Sequence, residues 1–163
     1  LLRTFSAFFK DKDVSLRIGG DGPLRSRLMK LSDELDLSDQ VIFLGSLSRD
    51  DVFREMLKAN CFVLSSNYET FGVVLIEALA SGLHLIATRC GGPEDLVNSD
   101  NGILVDVGSG EQLASAMCYV KNNITKYSRN TLRKEASSLY SAKAFVKKAT
   151  NFYERAIERN SNY

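Results

Sequence analysis

The stretch CFVLSSNYETFGVVLIEALASGLHLIAT, Cys61 to Thr88, decides the fold. CFVLS is a short apolar run without strict polar alternation, which is how a strand buried on both faces of a parallel sheet reads. A polar loop follows, from Ser65 to Thr70. From near Phe71 to Gly82 the chain is apolar almost all round, with Gly82 as a natural helix stop. HLIAT, 84 to 88, is a second strand. A strand, a helix and a strand with no hairpin turn between them imply a parallel pair joined by a right-handed crossover.

The same alternation extends outward in both directions. VSLRI (14 to 18), VIFLG (41 to 45) and GILV (102 to 105) are three more short apolar runs. LLRTFSAFFKD opens the chain directly in helical periodicity, as though an upstream strand and loop preceded it. After the first strand, Asp21 can cap and Pro23 can open a helix with Leu24, Leu28, Leu31 and Leu35 on one stripe. Ser48, three residues before Asp51, begins a second helix with Val52, Met56 and Ala59 on one side. A fourth helix after GSG at 108 to 110 carries Leu113, Ala114 and Met117. The fold class read from this order is α/β: a Rossmann-like three-layer domain, with a central parallel sheet and helices on both faces. Its ligands belong beyond the carboxyl ends of the strands.

Past about residue 125 the strand signals stop, and SAKAFVKKATNFYERAIERN places Phe145, Ala149, Phe152 and Ala156 on one face. The expectation is one domain over 1–163 ending in an amphipathic helix from about 141 to 159, docked on its own sheet or on a further domain. With 163 residues, 44% of them hydrophobic, one core is affordable. The net charge of +1 favours neither an acidic nor a basic partner. Its distribution is uneven: residues 1 to 120 carry 11 basic and 17 acidic side chains, and 121 to 163 carry 10 and 3. The terminal segment is a basic appendage, and docking is favoured over nucleic acid or a membrane surface.

Cys61, Cys90 and Cys118 are odd in number and unpaired by motif, which predicts reduced thiols. With His84 the single histidine and no Cys-x-x-Cys, no structural metal is expected. No apolar run approaches the ~20 residues of a membrane-spanning helix, and no signal segment opens the chain. The expected location is cytoplasmic, with peripheral attachment at the cytoplasmic membrane face as the second reading.

The loops after the strands carry the candidate chemistry. GGDGPLR, Gly19 to Arg25, begins like a dinucleotide fingerprint with Gly20 and Gly22, but Arg25 stands where the third glycine would be. It reads equally as a tight turn and as a turn that admits a ligand. FLGSLS supplies a turn and a cap. At the third strand end, the first turn of the helix presents backbone N–H groups from about Thr70 to Val73, where a phosphate would be held, and Gly72 permits close approach. Glu69 fits a capping role there. Glu77, surrounded by Val73, Val74, Leu75, Ile76, Ala78, Leu79 and Ala80, needs hydrogen-bond partners, which an internal ion pair or a vicinal diol of a ligand would supply equally well. At the fourth, Gly91-Gly92 precedes Pro93, Glu94 and Asp95 at a helix start. His84 opens its strand and reads as structural.

GGDGPL, VIFLG, the 61 to 88 stretch, GGPEDLV and NGILV, in that order and spacing, resemble the nucleotide-sugar-binding domain of family 4 retaining glycosyltransferases from about residue 5 to about 155. The resemblance implies one half of a two-domain GT-B fold. This half grips a nucleotide diphosphate sugar, and an N-terminal domain absent from this chain binds an acceptor glycan or lipid. It implies that Glu69, the candidate catalytic residue, contacts hydroxyls of the donor sugar, and that Glu77 binds the ribose. Amides at Thr70, Phe71, Gly72 and Val73 would meet sugar and phosphates. Gly20 and Gly22, with Val41 to Gly45, would lie near nucleotide and base. No cofactor or metal is implied, and no nucleic acid partner.

Three departures stand out. The basic pair that the family carries upstream is not in this chain, and Arg25 does not replace it. His84 stands where a proline is usual. GGPED is one residue shorter than the commonest form. The implied function is the donor-binding domain of a retaining, hexosyl-type transferase that is incomplete as a catalyst by itself. The alternatives are a non-catalytic nucleotide-sugar binder or an epimerase-like GT-B relative, and, resting on Gly20 and Gly22 alone, a dinucleotide-binding domain.

Overall fold

The computed structural model describes residues 1–160, so the last three residues of the expected domain lie outside the described region. The elements run α1 (Leu2–Phe9), β1 (Leu16–Gly19), α2 (Arg25–Glu34), β2 (Val41–Gly45), α3 (Arg49–Lys58), β3 (Cys61–Leu64), α4 (Val73–Ala80), β4 (His84–Thr88), α5 (Pro93–Leu96), β5 (Gly102–Val105), α6 (Gly110–Asn123), α7 (Arg129–Tyr140) and α8 (Ala142–Asn160). All strand pairs are parallel, in register Leu16↔Val41, Cys61↔His84 and Leu85↔Gly102.

The expected α/β architecture is present, with one difference in its sheet. Among the described residues β1 pairs only with β2, and β3, β4 and β5 form a second sheet in that order. Only β4, flanked on both sides, is buried at every residue; β1 alternates between half-buried and exposed, and β3 is half-buried throughout. Apolar composition alone did not distinguish a central strand from one with an unpaired edge. Helices cover both faces. Ile86 and Val105 pack on Leu113, Ala116 and Val120 of α6, while Leu85 and Ala87 pack on Leu75, Ala78 and Leu79 of α4 and Leu132 and Ala136 of α7. α1 links the two sheets: Leu2, Phe5 and Phe9 share a cluster with Leu37, Val41, Leu16 and Ile18 and with Met117 of α6.

Local rules account for the helix starts, with two corrections. Ser48 caps α3 as expected, its hydroxyl accepting from the Asp51 amide at 3.2 Å and donating to the Asp51 carboxylate at 2.6 Å. That hydroxyl holds the Asp51 carboxyl below its usual range. Asp21 does not cap α2. Its carboxylate accepts from the Gly22 amide at 2.7 Å, closing a turn, and the helix starts at Arg25 with no side-chain cap. Leu24 falls outside it and is exposed. The terminal helix forms as expected, but its apolar stripe does not dock on the sheets: Phe145 and Phe152 are 71% and 69% exposed, and α8 packs against α7. α7 itself went unread in the sequence. Ser128 caps it by accepting from the Thr131 amide, and its Leu132 and Ala136 close the core over α4.

Candidate functional site

The carboxyl ends of β3 and β4 meet in two loops stitched together by backbone. The Glu69 amide donates to the Cys90 carbonyl at 3.1 Å, and the Gly92 amide donates to the Glu69 carbonyl at 2.7 Å. Residues 69 and 91 form an isolated parallel bridge, in effect one more rung of the sheet. Thr88, buried at the end of β4, donates its hydroxyl to the Ser66 carbonyl and so ties the polar loop to the strand beside it. The approach is so close that glycine is required. A Cβ on Gly92 would lie 2.5 Å from the Cα of Phe71, and one on Gly91 would lie 2.7 Å from the Glu69 carbonyl oxygen. Composition could flag this glycine pair as an open corner, but not what it presses against.

This stitch moves the start of α4. The helix begins at Val73 rather than near Phe71, because Gly72 takes the left-handed conformation at φ 81° and the chain before it is held to the 90 to 92 loop. Glu69 then folds over its own loop. Its Oε1 accepts from the Phe71 amide at 3.2 Å and the Gly72 amide at 3.1 Å. Glu69 therefore closes the loop ahead of the helix rather than capping α4, which has no side-chain cap, and this has a consequence for the expected anion site. Two of the amides expected to face a phosphate are occupied by the carboxylate of Glu69. The N–H groups of Val73 and Val74, the first two of the helix, have no intrahelical acceptor by position.

Glu77 sits one turn further on. α4 buries Leu75, Ala78 and Leu79, whereas Val73 is 56% exposed and Ala80 is exposed, so the stripe formed by 73, 77 and 80 is left uncovered. Glu77 is half-buried on that stripe and forms no ion pair among the described residues. An apolar neighbourhood in sequence suggested burial on all sides, but helical spacing puts the carboxylate on the open side of the helix, in line with Val73. Thr70 and Phe71 are exposed at the loop tip. Glu69, Thr70, Phe71, Gly72, Val73 and Glu77 thus share the amino-terminal end of α4.

Gly20 and Gly22 lie at the end of β1, in the other sheet. Gly20 has φ 119°, its amide donates to the Gly45 carbonyl at 2.8 Å, and nothing would meet a Cβ on either residue within 4 Å. The turn is open to solvent on that side. The Arg25 guanidinium lies over Gly45, about 3.6 Å from where its Cβ would be, and is 3.9 Å from Asp21. Arg89, after β4, pairs with Asp106 at 3.5 Å. Among the described residues no group of three or more His, Cys, Asp or Glu side chains is arranged to hold a metal ion. No described helix is long and apolar enough to cross a membrane. Cys61, Cys90 and Cys118 are free, and burial pushes the Cys61 thiol up to about 12.

His84, read as structural, is buried at 2% exposure and stacks on Tyr127 with ring centroids 3.9 Å apart. Burial without a compensating partner lowers its pKa to about 4.

The parallel α/β sheet carries helices on both faces, with a glutamate-flanked helix start at the strand ends, where ligands of such sheets bind. The chain belongs to the glycosyl transferases group 1 family, whose model matches residues 1–138. It is 36% identical over 109 residues to N-acetyl-alpha-D-glucosaminyl L-malate synthase of Bacillus anthracis, covering 66% of this chain and 28% of that protein. It is 28% identical over 161 residues to an uncharacterized glycosyltransferase of Methanocaldococcus jannaschii, covering 97% of this chain and 41% of the relative. The chain thus spans well under half the length of these relatives. Among solved structures, HepE of Anabaena in complex with UDP superposes with a TM-score of 0.82 at 22% identity, over 95% of this chain and 44% of that one. At that identity the likeness concerns the fold, which is that of GT-B glycosyltransferases.

Proposed function

We propose that this chain is the donor-binding domain of a retaining family 4 glycosyltransferase, gripping a nucleotide diphosphate sugar whose sugar passes to an acceptor held by another part of the protein. The observation that carries the reading is the gathering of Glu69, Glu77 and the first amides of α4 at one strand end. Family membership and the UDP bound by HepE support it.

Each group has a task in this reading. The diphosphate lies against the Val73 and Val74 amides, where the helix dipole favours negative charge. Glu77, on the open stripe one turn in, accepts both hydroxyls of the ribose. Glu69 uses Oε1 to hold the Phe71 and Gly72 amides, leaving Oε2 for hydroxyls of the donor sugar. A carboxylate tethered this way orients the sugar rather than attacking the anomeric carbon. Thr70 and Phe71, at the exposed tip, border the sugar, and the open turn at Gly20 and Gly22 borders the nucleotide. Stabilising the departing diphosphate is the main catalytic contribution, and the acceptor attacks from the face the diphosphate leaves. No metal takes part. The protein works in the cytoplasm, at the membrane face when its acceptor is a lipid, and the isolated domain does not transfer sugar.

Calorimetric titration of the chain with UDP and GDP sugars tests this directly. Binding is expected for one base, and Glu77→Ala should weaken it at least tenfold by removing the diol contact, about 1.4 kcal/mol or more. Absence of binding to either donor, or equal binding by the variant, would refute the reading.

A further inference from the structure

We propose a second binding site at the opposite end of the sheet, in the cavity lined by His84, Arg129, Asn60 and Thr125, for a small oxyanion: the phosphoryl or carboxylate group of a metabolite. The cavity is about 280 Å³ and lies where β3 and β4 begin. β4 is five residues long, so about 16 Å of strand separates this site from the Cys90 to Gly92 loop. The two sites are independent, and this one does not rest on the donor reading.

His84 is the first reason. It is 2% exposed and lines the cavity, and neither ring nitrogen has a hydrogen-bond partner among the described residues. An unpaired buried polar group is destabilising, so a side chain that only filled space there would be better apolar. Arg129 is the second. Its Nη2 donates to the carbonyls of Met56, Leu57 and Ser81 at 3.3 to 3.4 Å, while its buried Nε has no partner. The third is α7, a 12-residue helix whose first residue is Arg129 and whose positive end borders the cavity.

Charge decides the sign of the ligand. The carboxyl ends of α3 and α4 also point here, each worth about half a negative charge. Arg129 and Arg133 both donate to Ser81, so two whole positive charges meet two half negative ones. Tyr127 and Arg129 line the cavity with His84, Cys61 is the register partner of His84 on β3, and Tyr119 of α6 and Arg89, already paired with Asp106, line a neighbouring cavity of about 530 Å³ that also borders His84; among the described residues no carboxylate lines either cavity. The surroundings are positive, and His84 supplies a donor that gains a full charge when an anion draws a proton onto it.

His84 is the single histidine of the chain, so its imidazole gives one resolved NMR signal. Inorganic phosphate and tricarballylate are titrated separately, with sodium chloride at matched ionic strength as control. The expected result is a saturable shift of the imidazole with phosphate, tricarballylate or both, and a His84 pKa raised by about one unit, equivalent to tenfold tighter binding to the protonated ring. A response to phosphate alone assigns a phosphoryl group, and a response to tricarballylate alone a carboxylate. The double variant Asn60→Leu, Thr125→Val changes two exposed positions and should keep the fold while weakening binding about tenfold. No shift with either anion, the same shift with chloride, or undiminished binding in the folded double variant overturns the proposal.

Discussion

Gly92→Ala tests the close approach on which the candidate site is built. Gly92 has helical torsions, φ −46° and ψ −37°, so alanine incurs no conformational penalty, and any effect comes from the added methyl. That methyl would lie 2.5 Å from the Cα, 2.6 Å from the carbonyl carbon and 2.6 Å from the nitrogen of Phe71. These are backbone atoms and cannot rotate away. Ordinary contact needs roughly 3.5–4.0 Å, so the two loops must part by about 1 Å. Parting breaks the Gly92 to Glu69 and Glu69 to Cys90 hydrogen bonds, worth about 1 kcal/mol each, on top of about 1–3 kcal/mol of overpacking. The expected loss is about 3–5 kcal/mol by urea denaturation. At whatever denaturant-free stability remains, donor affinity should fall more than tenfold, because Glu69 moves with the loop. Gly22→Ala is the internal control: its φ is not in the left-handed region, nothing lies within 4 Å of its Cβ, and it should change stability by less than about 0.5 kcal/mol. If Gly92→Ala unfolds at the same urea midpoint as the parent, the stitch does not exist and the placement of Glu69 falls with it.

Glu69→Ala should cost about 1 kcal/mol in thermal or urea unfolding through loss of the hydrogen bonds to the Phe71 and Gly72 amides, and should abolish measurable donor binding; wild-type affinity in the variant would exclude the carboxylate from the site. Ser48→Ala should cost a similar ~1 kcal/mol, from the Asp51 amide, while leaving donor affinity unchanged in the same titration. His84 titrates at about 4 in the folded chain against 6.5 when unfolded. Its contribution is fully present above pH 6.5 and is lost as the pH falls toward 4, because the unfolded chain takes up the proton first. The whole shift would be worth about 3.4 kcal/mol, and with two cavities bordering the ring about 2 kcal/mol is expected. Stability measured in chloride buffers from pH 7 to 4 should fall less steeply in His84→Phe than in the parent by that amount, and parallel curves would remove the desolvated imidazole.

The candidate site was legible to different depths. Glu69 and Glu77 could be found because acids interrupt an apolar helix, and the helix could be placed at a strand end because the apolar runs alternate with it. Which amides Glu69 occupies was not legible, since that depends on a loop 20 residues further along pulling residues 69 to 72 away from helical geometry. The tilt of Glu77 toward the open stripe depends on which side of α4 meets β4 and α7. α7 was missed because RNTLRKEASSLY is mostly polar and buries only Leu132 and Ala136, too short a stripe to stand out.

What the sequence determined by itself is the α/β alternation, the parallel pairing and the strand ends at which the candidate site lies. These follow from local apolar period, caps and crossover handedness, each fixed within a few residues of chain. Only the tertiary structure decided which strands have two neighbours, that α8 leaves Phe145 and Phe152 uncovered, and that His84 is buried against Tyr127 with no hydrogen bond. Those outcomes turn on contacts between segments 20 to 70 residues apart. Side-chain type constrains such contacts, but only the packed chain sets which atoms meet.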